Sequence, residues 1–224
     1  MNKEYAKKII NKTTADYNKI SRDWSIKRWK LPDDILALKK YIKKDDQVLD
    51  LGCGNGYFYD VVIDQKASYV GADVAENQLQ VCKELHPKAN LVLTDPLKLP
   101  FADQKFDKVF CLSVIHHIPT EEFQIKFLEE IHRVLEDKGC AFLTAWNLST
   151  QELHHEHQKI DDMGNLLYPF KSPDGSTLID RFIHVFTVDE LSNCATKAGF
   201  KIRDTKIVSR GYGKFSNILV VAEK

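Results

Sequence analysis

From about residue 47 onward, short apolar runs alternate with longer segments in which apolar residues recur at helical spacing. Strand-length runs separated by helix-length segments are typical of βαβ units, whose successive strands pair in parallel. The predicted strands are Gln47–Leu51, Tyr69–Ala72, Asn90–Leu93, Lys108–Leu112 and Ala141–Trp146. The predicted helices are Tyr57–Gln65, Asn77–Leu85 and Glu121–Leu135. The pattern therefore predicts a doubly wound α/β fold with a mostly parallel sheet.

The alternation lapses after Trp146 and resumes near Thr187, where Thr187 and Glu190 can form a helix-capping box. We expect an insertion at about residues 147–186 on the substrate side, because long connections on α/β folds usually carry specificity. The last segment, "FKIRDTKIVSRGYGKFSNILVVAEK", predicts two antiparallel strands that close the sheet.

Two segments predict helix boundaries. Residues 1–44 are expected to form a helical lead-in before a domain at 45–224, with a helix over "ILALKKYI" after Pro32. In "EDKGC", Gly139 is the expected left-handed residue that ends a helix.

Composition limits the chain to one domain, because 224 residues with 43% apolar content can bury one sizeable core. The sequence has no apolar run long enough to span a membrane, and its lysine-rich start lacks the apolar centre of a secretory signal. We therefore expect a soluble, cytoplasmic protein that does not associate with membranes. Its 5 cysteines include no C-x-x-C pair, which favours reduced thiols over a zinc or redox centre.

The formal net charge is zero, but basic residues concentrate in residues 1–44 and 197–224 and acidic residues lie between them. Basic ends brought to one face would form a footprint for nucleic acid or another polyanion. The same lysines could instead simply solvate surface helices. The charge pattern leaves both interpretations open.

A glycine-rich turn, "VLDLGCGNG", follows the first predicted strand. Gly52 and Gly54 would form a floor over which the backbone can approach a ligand that any Cβ atom would exclude. A dinucleotide site typically has the spacing G-x-G-x-x-G, whereas here Gly56 gives G-x-G-x-G with Asp50 two residues ahead. A carboxylate suits a ligand with an ammonium and a sulfonium group better than one with a pyrophosphate.

Two further acids follow the next strands. Asp73 ends the second predicted strand, where a carboxylate can bind both hydroxyls of a ribose, and Asp95 ends the third. Either acid alone could be a helix N-cap. Their order and spacing after the glycine turn favour a nucleoside-containing cofactor.

These motifs, with "LPF" and "FDKVF" after Asp95, resemble those of class I S-adenosylmethionine-dependent methyltransferases. The resemblance implies a seven-stranded, Rossmann-like sheet with an antiparallel C-terminal strand, and S-adenosylmethionine as the cofactor. It also implies that Asp50 orients the cationic amino-acid end of the cofactor and that Asp95 accepts from the adenine amino group. The cofactor-binding residues assigned in this way are Asp50, Gly52, Gly54, Asp73, Val74, Asp95, Pro96, Leu97, Cys111 and His116.

Histidines offer two further candidates. His116 and His117 follow the fourth predicted strand and could supply a general base or simply wall the methionine part of the cofactor, and the wall is favoured. "HHEH" at residues 154–157 could share a helix face toward a metal, but it lacks further ligands, so a solvated helix and no metal are expected.

Two flanking stretches, "YNKISRDWSIKRWKLP" and "IDRFIHVFTVDEL", resemble the tRNA methyltransferases that esterify 5-carboxymethyluridine at the wobble position. The chain departs from that family at Phe182 and Ile183, where a pair of tyrosines is usual, and at "GYGKFSN". The matching positions are Tyr17, Asn18, Arg28, Trp29, Pro32, Arg181, His184, Val185, Phe186, Glu190 and Leu191.

The resemblance implies a carboxylate nucleophile, which is already ionised at neutral pH and needs no base. Arg28 and Arg181 are candidates to hold that carboxylate or a phosphate, and Trp29 or Trp146 could stack on a base. The candidate catalytic residues are Arg28, Arg181, His184 and His117. Three hypotheses remain open: a tRNA methyltransferase, a small-molecule methyltransferase, and a cofactor-binding protein without catalysis. The need for an activating protein partner is also open.

Overall fold

The computed structural model describes residues 3–27, 31–148, 158–159, 164–172, 174–211 and 216–224. Within those residues, no helix combines the length and the apolar character needed to cross a bilayer.

The strands in the described part of the chain form two sheets. Their bounds are β1 (Gln47–Leu51), β2 (Ser68–Asp73), β3 (Asn90–Leu93), β4 (Phe106–Leu112), β5 (Leu135–Asn147), β6 (Gln158–Lys159), β7 (Asn165–Lys171), β8 (Thr177–His184), β9 (Lys201–Ser209) and β10 (Ser216–Glu223). A seven-stranded sheet has the order β3-β2-β1-β4-β5-β10-β9, and a three-stranded sheet has the order β6-β7-β8.

In the large sheet, β1 to β5 pair in parallel, and β10 runs antiparallel to both of its neighbours, β5 and β9. The crossover from β3 past β2 and β1 to β4 places a topological switch point between β1 and β4, where the carboxyl ends of strands form a ligand crevice. The predicted fold class, with its antiparallel C-terminal strand, is confirmed.

Helices cover both faces of this sheet. They are α1 (Lys3–Lys19), α2 (Ser21–Lys27), α3 (Asp33–Leu36), α4 (Tyr59–Asp64), α5 (Glu76–Leu85), α6 (Glu121–Val134) and α7 (Val188–Lys197), with 3₁₀ helices at Ala37–Tyr41 and Ile115–His117. Neighbouring strand residues face opposite layers: Leu49 packs in one apolar cluster with Phe127 of α6, and Val48 packs in a second with Val62 of α4. Burial on both faces explains why the central strands are continuous apolar runs.

Two local predictions are wrong. The left-handed residue after α6 is Lys138, with φ 65°, and not Gly139. A Cβ atom at Gly139 would lie 2.8 Å from the Glu136 carbonyl oxygen, so glycine is needed there for close packing. The segment "ILALKKYI" forms the end of α3 and a 3₁₀ helix, not one α-helix.

The segment between β5 and α7 builds the small sheet in its described residues, and the capping box of Thr187 and Glu190 begins α7 as predicted. Helix α1 runs beside this small sheet, where Lys12 and Lys19 donate to the carbonyl oxygens of Asp180 and Leu178. The lead-in at residues 1–44 and the insertion therefore meet on one side of the large sheet. The domain division at residue 44 stays a prediction.

Candidate functional site

A cavity opens at the carboxyl ends of the parallel strands, at the switch point of the sheet. The predicted cofactor residues Gly52, Gly54, Asp73, Val74 and Pro96 line it from the sheet side. The opposite wall comes from α1 and α2, through residues Ile10, Thr13, Thr14, Tyr17 and Trp24. The lead-in thus closes the cavity that the glycine turn begins.

The glycine turn is held in a conformation that favours glycine, since Gly52, Gly54 and Gly56 have φ of 76°, 54° and 77°. A Cβ atom on Gly52 would lie 2.2 Å from a methyl group of Val114. At Gly54 the nearest atoms would be 3.8 Å away, on Gln78 and Trp24, which both line the cavity. Gly52 therefore permits close packing, and Gly54 forms the open floor.

Asp73 is buried and joins two backbone elements. Its Oδ2 accepts from the Gly54 amide at 2.9 Å, and its Oδ1 accepts from the Ala75 amide at 2.9 Å. Burial raises the pKa of Asp73, and these amide hydrogen bonds act against that rise. Because each carboxylate oxygen can accept more than one hydrogen bond, Asp73 can hold the turn and still bind ribose hydroxyls.

Asp50 lies in the layer beneath the turn, where its Oδ2 accepts from the Tyr69 hydroxyl at 2.9 Å. Burial raises the pKa of Asp50 to about 7; the Tyr69 hydrogen bond opposes this rise, and the neighbouring Asp73 charge adds to it. The described cavity wall does not include Asp50. Its contact with the cofactor stays a prediction.

A second groove continues from the cavity and shares Val74 and Pro96 with it. Asp95 and Leu97 lie in this groove, and Asp95 Oδ1 accepts from the Leu97 amide at 2.8 Å. Asp95 is exposed. The predicted adenine end of the site thus falls in an open groove that adjoins the cavity.

Cys111 and His116 differ from the prediction, because both lie behind the cavity wall. The Cys111 side chain packs in the core, where burial raises the pKa of its thiol far above the usual range. The next residue, Leu112, faces the cavity, because successive strand residues point to opposite sides. His116 is fully buried, and its ring centre lies 5.1 Å from that of Trp146.

His117 lines the cavity with both ring nitrogens engaged. Its Nδ1 lies 2.8 Å from the Phe182 carbonyl oxygen, and its Nε2 lies 2.8 Å from the Tyr17 hydroxyl. Burial lowers the pKa of His117 to about 3; the Phe182 hydrogen bond opposes this and the charge of Arg181 adds to it. A ring that stays neutral and has no available nitrogen favours the wall over the general base.

Arg181 is a buried cation, 5% exposed, enclosed by aromatic rings. In the described residues its Nε has no hydrogen-bond partner, no carboxylate pairs with it, and Nη2 lies 3.5 Å from the Pro169 carbonyl oxygen. It adjoins the cavity through Trp24. The distances from Cζ to the ring centres are 5.0 Å for Trp146, 5.3 Å for Tyr168, 5.4 Å for Phe170 and 5.7 Å for Trp24.

His184 lies away from the cavity, which differs from its prediction as a catalytic residue. Its Nδ1 lies 2.8 Å from Asn165 Oδ1, and its Nε2 lies 2.8 Å from Glu190 Oε1. Since Glu190 also belongs to the capping box of α7, His184 joins the small sheet to that helix. Arg28, Trp29 and the histidines of residues 154–157 lie outside the described residues.

Sequence reasoning missed Gln78 and Trp24 as parts of the site. Gln78 is 1% exposed and lines the cavity, and its Oε1 has no partner among the described residues. Its Nε2 donates to the Tyr17 carbonyl oxygen at 3.4 Å. Gln78 lies in the first turn of α5, the helix that follows Asp73, and it is buried there. A polar residue at a buried position of that turn was the signal that could have assigned it to the site.

Comparisons with known proteins identify a methyltransferase domain in this chain. A model of the methyltransferase domain matches residues 49–143. The tRNA (carboxymethyluridine(34)-5-O)-methyltransferase alkbh8 of Xenopus tropicalis is 31% identical over 154 residues, which are 67% of this chain and 22% of that protein. The tRNA (carboxymethyluridine(34)-5-O)-methyltransferase of Saccharomyces cerevisiae is 27% identical over 148 residues, 65% of this chain and 52% of that protein. The chain thus spans about half or less of the length of these relatives.

A solved structure extends the similarity to the whole chain. The 1,6-didemethyltoxoflavin-N1-methyltransferase of Burkholderia thailandensis, solved with 1,6-didemethyltoxoflavin and S-adenosylhomocysteine, has a TM-score of 0.72 and 15% identity, and the match covers 100% of this chain and 91% of that one. At that identity the likeness concerns the fold. Together with the domain match over β1 to β5 and the glycine turn at the switch point, it shows that this chain contains a methyltransferase domain with the class I S-adenosylmethionine-dependent methyltransferase fold.

Proposed function

We propose that this methyltransferase esterifies the carboxylate of a modified wobble uridine in tRNA. The observation that carries the proposal is Arg181, a buried guanidinium with no carboxylate partner among the described residues. A guanidinium and a carboxylate form two parallel hydrogen bonds, and such a pair is strong where water is excluded. The substrate carboxylate would complete the site.

The residues of the cavity fit S-adenosylmethionine. Gly54 leaves space over the backbone, Asp73 offers lone pairs to ribose hydroxyls, and the unpaired Oε1 of Gln78 can accept from a further donor. Acceptors that face a cavity suit a ligand rich in hydroxyl and ammonium donors. When bound, S-adenosylmethionine supplies a methyl group on a sulfonium that a nucleophile can attack directly.

The protein's own part in this reaction is alignment. A carboxylate is ionised at neutral pH, so His117 has no proton to remove. Arg181 would orient the carboxylate, and Trp24 and Trp146 offer ring faces on which a base can stack. Correct placement of two reactants can supply an effective molarity of about 10⁵ M or more.

The names of two relatives support this substrate class, since the Xenopus and yeast proteins are tRNA (carboxymethyluridine(34)-5-O)-methyltransferases. The predicted second arginine, Arg28, stays a candidate contact for the carboxylate or a phosphate.

A small-molecule acceptor is the second candidate. Three of the lysines of α1 already pair with acids, which leaves fewer cations for phosphate contacts; the pairs are Lys3–Glu122, Lys8–Glu4 and Lys12–Asp16. Helices α1 and α2 of the lead-in also cover the cavity, which suits a compact substrate.

The test compares Arg181→Met with Arg203→Met, an exposed arginine on β9 that pairs with Glu223. With labelled cofactor and total tRNA, Arg181→Met should lower kcat/KM by at least about 30-fold, the scale of a lost buried charge pair. Affinity for S-adenosylhomocysteine should stay within about threefold in both variants, because Arg181 lies beyond the cofactor cavity.

Salt separates the two candidates. Transfer to tRNA should fall steeply as salt rises, because phosphate contacts release counterions. Transfer confined to a metabolite extract and insensitive to salt, or full activity of Arg181→Met on tRNA, would overturn the tRNA proposal.

A further inference from the structure

We infer that His117 is a positioning residue that joins the N-terminal helix and strand β8 to the cofactor domain, and so aligns Tyr17 and Arg181 around the methyl acceptor. The inference rests on the proposed function for the identity of the acceptor. It assigns to His117 neither the role of a base nor that of a passive wall.

The geometry places His117 at the meeting point of three segments. It ends the 3₁₀ helix after β4, Tyr17 is near the end of α1, and Phe182 directly follows Arg181 on β8. The two hydrogen bonds of the ring, each 2.8 Å, go to these two segments. The Tyr17 ring also packs edge-on against the imidazole, with centres 5.2 Å apart.

The partners define where the ring carries its proton. The Phe182 carbonyl oxygen can only accept, so Nδ1 carries the hydrogen and donates it. Nε2 is then an acceptor, and the Tyr17 hydroxyl donates to it. A second proton on the ring would turn Nε2 into a donor, and the Tyr17 hydroxyl would then have to accept instead of donate.

The residues around His117 keep its ring in this neutral form, with the proton on Nδ1. Tyr17 from α1 and His116 on the same turn pack against the ring, and the charge of Arg181 on β8 acts on it. Burial and the positive charge of Arg181 both lower the pKa of His117. The ring therefore remains a neutral acceptor toward Tyr17 throughout the working pH range.

Both tethered segments depend on such a bond. Among its described residues, helix α1 buries Ala6 and Ile9 and packs Ile10 and Tyr17, which are partly buried, against apolar clusters, so few large side chains anchor it. Strand β8 is an edge of the small sheet and pairs on one side with β7. His117 supplies each segment with a fixed point on the rigid cofactor domain.

The first test reads the proton position directly and needs no substrate. In ¹⁵N-labelled protein, His117 should show the neutral Nδ1–H form with no titration from about pH 5.5 to 8.5, around the ordinary range for histidine. Tyr17→Phe should shift only the Nε2 signal. Titration near pH 6.5, or a proton on Nε2 in the neutral form, would overturn the inference whatever the acceptor proves to be.

The second test is a double-mutant cycle. Tyr17→Phe should lower kcat about tenfold through the loss of one buried hydrogen bond, and His117→Phe, which loses both of its ring hydrogen bonds, should lower kcat at least as much. The double variant should be no slower than His117→Phe alone, because both changes remove the same bond. His117→Gln, which can donate and accept, should recover part of the rate.

The matched control is Asn18→Ala, which removes the hydrogen bond from the Asn77 amide to Asn18 Oδ1 on the same helix and leaves the bond from Asn77 Nδ2 to the Asn18 carbonyl oxygen. It should change kcat by less than about twofold. Multiplying effects in the double variant, or an equal loss in Asn18→Ala, would show general loosening of α1 and overturn the positioning role. If transfer to tRNA is absent while the ¹⁵N result holds, the proposed function fails and the tether of His117 stands.

Discussion

The cofactor half of this site and the acceptor half that we propose around Arg181 are built from different parts of the chain. On the cofactor side, backbone groups do much of the work: the Gly54 and Ala75 amides hold Asp73, and the floor is a bare glycine. On the proposed acceptor side, Arg181 sits among four aromatic side chains from three separate elements, α2, β5 and β7, at residues 24, 146, 168 and 170. The cofactor half is a local turn of the backbone, and the proposed acceptor half is an assembly of side chains from several elements.

The difference matters for what each half tolerates. A backbone-built turn fails when an added atom has no space or when φ is unsuitable, so its sensitive positions are glycines. A side-chain assembly fails when one element shifts relative to another, so its sensitive positions are the contacts that join elements. His117 belongs to both halves, because it lines the cavity and bonds to α1 and β8.

The largest effect is expected at Gly52. Gly52→Ala should lower affinity for S-adenosylhomocysteine by more than about 100-fold, because the new methyl would meet Val114 at 2.2 Å in a strained backbone. Calorimetry measures it. Gly175→Ala is the control, since Gly175 also has a positive φ, 88°, but a Cβ atom there has no described atom within 4 Å. Binding by Gly52→Ala within tenfold of wild type would show that the turn is not rigid.

An intermediate effect is expected at His184, at the end of β8, where it joins the small sheet to α7. His184→Phe should lower the free energy of unfolding by about 1–3 kcal/mol, because it removes the two hydrogen bonds that His184 makes to Asn165 and Glu190. Urea unfolding measures this loss. Methyl transfer per folded molecule should stay within about twofold. A large loss of turnover at unchanged stability would move His184 into the acceptor half.

The smallest effect is expected at Asp50, beneath the cofactor turn. Its pKa is raised to about 7 by burial, so the folded protein keeps a proton that the unfolded chain loses near pH 4. Stability from this group is therefore present below about pH 4 and is lost as the pH rises through about 7. The stability of Asp50→Asn relative to the wild type should be at least about 1 kcal/mol higher above pH 7 than near pH 4, because the cost of its buried amide is the same at both pH values. Thermal unfolding of the variant and the wild type at both pH values measures this difference in stability. An equal difference at the two pH values would contradict the raised pKa.

Much of the cofactor half was predictable because its chemistry is local in sequence. The turn at Gly52 and Gly54 and the acid at Asp73 follow strands whose apolar runs are plain, and parallel strands bring their carboxyl ends to one edge. The errors are small displacements. Cys111 was assigned to the site where its neighbour Leu112 lies, because the pattern finds the strand end but not which residue faces the cavity.

The acceptor half was predictable only in part. Arg181 was identified through a resemblance, yet nothing in its spacing indicates that Trp24, Trp146 and Phe170 surround it. His184 belongs to the same resembling segment and points elsewhere, toward Glu190. A short strand places neighbouring side chains on opposite faces, so a matching segment does not say which of its residues reach the site.

The sequence by itself determined where the strands follow one another along the chain, the glycine turn and the acids at the strand ends. Apolar periodicity and backbone freedom are properties of consecutive residues. Only the tertiary structure decided that α1 covers the cavity, that Gln78 faces it and that His117 joins Tyr17 to Phe182. These contacts join residues far apart in the chain, and their geometry depends on how whole elements pack. Spacing along the chain carries no information about that packing.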